Sequence, residues 1–193
     1  MTRIAVVDPQ PAVRAGLTML LRTEPGLVPI GAATGTSDGL ELVDRLGPDV
    51  VLLEHQLLDG DGLSLCRRLK ALGRPPRVIL YTADPEGELV LLARIASADG
   101  LVDKSADPRD LFEAIRVVAR GGSALPPLDP EQLDAAAHAI EPEDLALLAM
   151  LADGTPASDV ADTLRLDRRK VGRRIERLLG RLRSLDGRTA VLS

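Results

Sequence analysis

Five short apolar runs, each followed by a stretch of helical periodicity, constrain the first part of this chain more than any other feature. The runs fall at residues 3–7, 28–33, 50–53, 77–81 and 100–102, and the helical stretches at 12–22, 37–46, 63–72, 86–95 and 108–120. Runs this short and this apolar are strands, and the unbroken run at 50–53, opening after Pro48 and closing on polar and Gly residues, reads as buried on both faces of a parallel sheet. In the first helix Val13, Leu17, Leu20 and Leu21 share one side. Strict strand and helix alternation implies a doubly wound α/β domain, a five-stranded parallel sheet with helices on both faces and right-handed crossovers.

In such a sheet every strand points the same way, so the residues just past the strand ends meet on one rim. Asp8 ends the first strand, Glu54 the third and Thr82 the fourth, and Lys104 follows the fifth. Two carboxylates, a hydroxyl and an ammonium therefore converge, with Glu54 inside the stretch that runs from Pro48 to Gly62.

Past Arg120 the pattern changes. Gly121, Gly122, Pro126, Pro127 and Pro130 break the chain, and Asp129 with Pro130 starts a short helix to about Ala139. The remainder is purely helical. A first helix opens at Glu141-Pro142-Glu143 with Leu145, Leu148 and Leu151 on one face and stops at Gly154. A second is capped by Thr155 and turns Val160, Ala161 and Leu164 inward. Asp167 then caps a long helix, residues 168–182, that buries Val171, Ile175, Leu178, Leu179 and Leu182. Helix, tight turn and basic helix make a helix-turn-helix. Domain limits are accordingly placed at 1–121, 122–139 for the linker with its short helix, and 140–193.

Between Arg165 and Arg183 nine basic residues face only Asp167 and Glu176, a net of about +7 within one helix although the whole chain carries −5. Charge this dense calls for a polyanion, and double-stranded DNA is the expected partner. Arg168, Arg169, Lys170, Arg173, Arg174 and Arg177 are the candidate DNA-binding residues, with Arg169, Lys170, Arg173 and Arg177 expected to make most contacts. With Tyr81 and Phe112 the only aromatics, single-stranded nucleic acid stacked on aromatic platforms is not expected. The lone Cys66 rules out an intramolecular disulfide or thiolate cluster and reads as a small core residue. Apolar stretches are too short for a bilayer and no signal-peptide layout is present, so a cytoplasmic protein without membrane contact is expected.

The first domain resembles the receiver domain of bacterial response regulators, a flavodoxin- and CheY-like fold. The resemblance rests on Val6-Val7-Asp8-Pro9-Gln10-Pro11, on Pro48-Asp49-Val50-Val51-Leu52-Leu53-Glu54 with Asp-Gly downstream, on Thr82-Ala83 and on Asp103-Lys104. The second resembles the LuxR-type helix-turn-helix, through Glu141-Pro142-Glu143, Val160-Ala161, Val171, Ile175, Leu182 and the stretch Gly187 to Val191. Together they look like the NarL/FixJ family of two-component regulators. In that family an aspartate stands at Glu54 as phosphoacceptor, and a pair of acids stands where this chain has Asp8 followed by Pro9. Leu58 and Leu101 replace a usual proline and aromatic, and Gly172 replaces a long polar residue.

Magnesium needs several oxygens in near-octahedral order, and in-line phosphoryl transfer depends on positioning. One acid missing and another a methylene too long leave at most a vestigial magnesium site at Asp8 and Glu54, with no metal, cofactor or catalytic residue expected. Two readings of Glu54 stay open: a negative charge held by Lys104 and Thr82 where a phosphoryl group would sit, or a solvated rim residue of a decayed pocket, paired with Lys104.

The expected function is thus DNA-binding transcriptional regulation through a degenerate, unphosphorylated receiver, without enzyme activity, as a homodimer on paired half-sites. In the family the final helix, here about residues 186–192, helps pair two such domains. Alternatives are a phosphorylation-independent module sensing a ligand or protein with DNA output intact, and a phosphoacceptor that still turns over acyl phosphate. A sensor kinase or ligand is an open partner.

Overall fold

The computed structural model describes residues 1–83, 85 and 89–189, the last five of them by their backbone. Two compact units divide the chain, Met1–Pro85 with Ala98–Pro126 and Glu86–Ser97 with Pro127–Ser193.

In the first unit β1 (Thr2–Val7), α1 (Pro11–Thr23), β2 (Leu27–Ala33), α2 (Thr36–Leu46) and β3 (Val50–Leu53) are followed by two short strands, β4 (Gln56–Leu57) and β5 (Gly60–Asp61). Then come α3 (Gly62–Lys70), β6 (Arg77–Thr82), β7 (Gly100–Asp103) and α5 (Pro108–Ala119), with α4 (Leu89–Ile95) assigned to the second unit. Five strands form one parallel sheet in the order β2-β1-β3-β6-β7. This is the expected doubly wound fold.

The central strand β3 has all four residues buried, which is why it reads as an unbroken apolar run. Ile4, Val6, Leu52 and Ile79 of the sheet pack with Leu17 and Leu21 of α1 and with Leu111, Phe112, Ile115 and Val118 of α5 in one cluster, against which Val13 and Leu20 lie half-buried. Leu63, Leu65, Cys66 and Leu69 of α3 are buried as well. Burial pushes the Cys66 thiol up to about 12, which leaves it a core residue.

The β4–β5 hairpin was not legible in the sequence, because strands of two residues carry no periodicity. It is nonetheless pinned. Asp59 accepts from Thr36 N at 2.7 Å and Thr36 Oγ1 at 2.9 Å, so the loop caps α2, while Asp61 caps α3 through Leu63 N and Ser64 N. Gly62 closes the loop, for a Cβ there would fall on the Glu54 carbonyl oxygen and His55 Cα.

In the second unit α6 (Pro130–Ala139) leads to a 3-10 turn at Pro142–Asp144, then α7 (Leu145–Ala152), α8 (Ala157–Thr163) and α9 (Arg168–Thr189). Helix α4 packs on α7 and α9, and Arg94 Nη1 donates to Ala152 O at 3.4 Å. Residues 86–88, where that helix was expected to begin, lie outside the described residues. Leu147, Leu148, Leu151, Val160, Val171, Ile175, Leu178, Leu179 and Leu182 form the buried interior.

Three expectations are corrected here. Leu145 is 40% exposed and Leu147 takes an inward place, because the buried face of α7 runs through Leu147, Leu148, Leu151 and Ala152 and Leu145 begins the helix off the middle of that face. Pro156, not Thr155, is the N-cap of α8, without a side-chain cap bond. Helix α9 runs unbroken to Thr189 instead of yielding to a separate last helix near residue 186; residues 190–192 of that expected helix lie outside the described residues. Among the described residues no helix is long and apolar enough to cross a membrane.

Candidate functional site

The parallel ladders carry the polar set of the first unit to one level. Glu54 N bonds Val7 O at 2.8 Å, and Lys104 N bonds Thr82 O at 2.8 Å, so each residue past a strand end is registered against its neighbour. Lys104 Nζ lies 2.6 Å from Asp8 Oδ2 and 2.6 Å from Glu54 Oε2. One ammonium thus joins β7 to the ends of β1 and β3.

Each carboxylate has further donors. Asp8 is 2% exposed and accepts from Gln10 N at 2.7 Å through its carboxylate, and its backbone carbonyl accepts from Arg14 Nη1 at 2.7 Å. Glu54, 6% exposed, accepts from Gln56 N at 3.0 Å and faces His55 Nδ1 at 3.0 Å. A carboxylate only accepts, so the His55 proton on Nδ1 is directed to Glu54. The same Nδ1 lies 2.8 Å from Thr82 Oγ1. Burial raises the Glu54 carboxyl, but the bonds from His55, Lys104 and Gln56 outweigh it and hold the group at about 2. Burial lowers Lys104, and Asp8 and Glu54 outweigh that, raising it above its ordinary value.

All four expected rim residues are therefore present, with two changes. Glu54 is buried, so the solvated-rim reading is corrected: its charge is satisfied inside the pocket. Thr82 Oγ1 lies against His55 Nδ1, the nitrogen that also faces Glu54, and His55 is the member that sequence reasoning missed. The signal was available, a histidine directly after a carboxylate at a buried strand end.

On the second unit, Asp167 caps α9 by accepting from Arg169 N at 2.9 Å and Lys170 N at 3.2 Å, as expected. Arg168, Arg169, Lys170, Arg173 and Arg177 have exposed side chains. Arg174 is corrected. Its Nε and Nη2 each lie 2.6 Å from Asp144 Oδ1, and Nη2 also donates to Glu143 O, so its guanidinium serves the domain's own interior. Nothing in the sequence marked Asp144, which follows Glu141-Pro142-Glu143 as one more acid at the opening of a helix.

Residues 4–116 match the response regulator receiver domain, more than half of the chain. The chain belongs to the response regulator family. It is of the NarL/FixJ type, with a receiver and a LuxR-type helical region. It is 32% identical to the DNA-binding transcriptional activator DevR/DosR of Mycobacterium tuberculosis, over 94% of this chain and 88% of that protein. It is 26% identical to the nitrate/nitrite response regulator protein NarL of Escherichia coli, over 93% of this chain and 88% of that protein. A solved two-component response regulator of the LuxR family from an Aurantimonas species superposes with a TM-score of 0.62 at 28% identity, covering 69% of this chain and 94% of that one.

The divalent cation that the receiver family implies is a poor match to this response regulator's residues. Magnesium keeps near-octahedral oxygen coordination. Here Asp8 and Glu54 bring two carboxylates, Pro9 stands where a further acid would help, and a lysine ammonium bonds both. Among the described residues no group of three or more acids, histidines or cysteines could hold a metal ion. The donor set does not fit the ion.

Proposed function

We propose that this response regulator is a DNA-binding transcriptional regulator whose receiver is set by internal charge pairing and not by a carboxyl phosphate. The observation that carries the reading is Lys104 Nζ bridging Asp8 and Glu54 at 2.6 Å each. In-line transfer to Glu54 would need that carboxylate free, oriented and backed by a metal ion. It has instead an ammonium on one oxygen and a histidine with a backbone N–H on the other. Glu54 keeps one negative charge in place, short of the two of a phosphoryl group.

The output is the exposed basic face of α9. Residues 1–121 act as receiver, 122–139 as linker and 140–193 as the DNA-binding domain, in a cytoplasmic homodimer on paired half-sites. Incubation with acetyl phosphate and magnesium followed by mass spectrometry tests the receiver. The expected result is unmodified Glu54 and Asp8 with unchanged DNA affinity; a phosphoryl adduct on either that alters DNA binding refutes it. A salt series tests the output, since Arg173→Ala should reduce the slope of log affinity against log salt by about one.

A second reading, ligand sensing with the same DNA output, is favoured by one feature. Val13, Gly16, Leu17, Leu20, Tyr81 and the Lys104 side chain line a hollow of about 210 Å³ on α1. A Cβ at Gly16 meets nothing within 4 Å, so Gly16→Phe fills the hollow without disturbing the core. A small molecule that raises Tm in the wild type and not in Gly16→Phe supports this reading.

A further inference from the structure

The basic residues of α9 are not one population. At about 100° per residue, Arg174 and Arg181 stand within about 20° of each other on one border of the buried stripe made by Val171, Ile175, Leu178 and Leu182. Both are taken by the segment that opens α7. Arg174 binds Asp144 and the Glu143 carbonyl, and Arg181 Nη1 lies 2.9 Å from Glu141 Oε1. Arg173 and Arg177 sit about 100° and 60° beyond Arg174, away from the stripe, and remain exposed.

The two ties differ in weight. Glu141 and Arg181 are each about half exposed, 56% and 50%, where an ion pair contributes little. Asp144 and Arg174 keep only 8% and 12% of their side-chain surface, so the pair is desolvated and tolerates little displacement. An apolar stripe alone defines the rotation of a helix loosely, because methyl groups slide past one another. A two-pronged guanidinium on a buried carboxylate and a fixed carbonyl defines it closely.

We propose that Asp144 and Arg174 are positioning residues: their buried pair sets the rotation of α9 about its own axis, and through it which of Arg169, Lys170, Arg173 and Arg177 reach base edges. The inference rests on the DNA reading above. With its guanidinium held by Asp144 and the Glu143 carbonyl, Arg174 is not offered to a phosphate, so it governs discrimination between sequences and not the electrostatic attraction common to all of them.

The test uses the full-length protein with two duplexes, one selected by the wild type from a random-sequence pool and one scrambled version of equal length. Arg174→Met and Asp144→Asn are each expected to lower the ratio of selected to scrambled affinity about tenfold, with scrambled affinity and salt slope unchanged. Arg173→Met should lower the salt slope by about one on both duplexes. Asp144→Asn keeps the shape of the side chain, and far-UV circular dichroism of both variants separates loss of position from loss of fold. Arg174→Lys, which keeps the charge and loses the fork, should restore less than half of the ratio. A salt slope lowered by Arg174→Met as much as by Arg173→Met would make Arg174 a phosphate contact and overturn the proposal, as would a wild-type ratio in both variants. Wild-type protein that binds neither duplex in a salt-dependent way would remove the DNA reading itself.

Discussion

Replacing Glu54 by glutamine tests the pocket at its most informative point, because it removes one charge and almost no volume. The Glu54 carboxyl is held at about 2 against an ordinary value of 4.5. At about 1.36 kcal/mol per unit, that difference corresponds to about 3 kcal/mol of folding stability at neutral pH. Glu54→Gln removes that charge, and its single amide oxygen can accept from Lys104 or from Gln56 N but not from both, since the two bond different oxygens of Glu54. The folded value is depressed, so the contribution is present above the unfolded value and disappears as pH falls through the folded one. The loss in Glu54→Gln is therefore about 3 kcal/mol at pH 7, about 1 kcal/mol at pH 3, and close to nothing near pH 2. Urea unfolding followed by tyrosine fluorescence measures it cleanly, since Tyr81 is the only tyrosine and belongs to the first unit. A loss below about 0.5 kcal/mol at pH 7, or an equal loss at pH 7 and pH 3, would refute the claim that Glu54 is a charged and satisfied member of the pocket.

Other substitutions probe the elements around it. Gly62→Ala drives a methyl onto the Glu54 carbonyl and His55 Cα, and should destabilise the first unit by at least about 2 kcal/mol in the same urea assay. Cys66 should be inert to a thiol-specific reagent at pH 8 and react at the rate of unfolding, because burial pushes its thiol up to about 12. Gly180 is exposed in α9 with nothing within 4 Å of a built Cβ, so Gly180→Ala should stabilise the helix by about 0.5–1 kcal/mol, read by thermal circular dichroism.

What was legible in the sequence was whatever repeats or accumulates. Val50 to Leu53 announce a strand because all four are buried, and the ends of the sheet strands fall within about two residues of expectation. Rim residues Asp8, Glu54, Thr82 and Lys104 were legible because parallel strands share one direction. Features carried by single side chains were not. His55 carries only its place beside Glu54, a weaker mark than a repeat, while Asp59 caps a helix from 23 residues away and Asp144 reaches Arg174 across 30 residues. Arg174 looked like its neighbours because a charge run counts charges without saying which one turns inward.

The buried carboxylates among the described residues are Asp8, Glu54 and Asp144, and every one faces a cation, Lys104 or Arg174. This arrangement makes the cations less dispensable than the acids. Glu54→Gln leaves Lys104 still paired with Asp8, whereas Lys104→Met leaves two adjacent carboxylates without a counter-charge, a change that costs about 3–5 kcal/mol when one partner of a buried pair is removed. The pH dependence then weakens. Without Lys104 the Glu54 carboxyl keeps only the bonds from His55 and Gln56 N against the burial that raises it, so less of its charge-linked stability survives. Lys104→Met should thus be least stable relative to wild type at pH 7, with a larger deficit there than Glu54→Gln, and approach wild type as pH falls through the carboxylate range. Urea titrations of both variants between pH 7 and pH 3 compare the two courses. A Lys104→Met deficit that stays constant across that range would show that the ammonium holds the pocket by packing alone, and the ionic account of the receiver would fall with it.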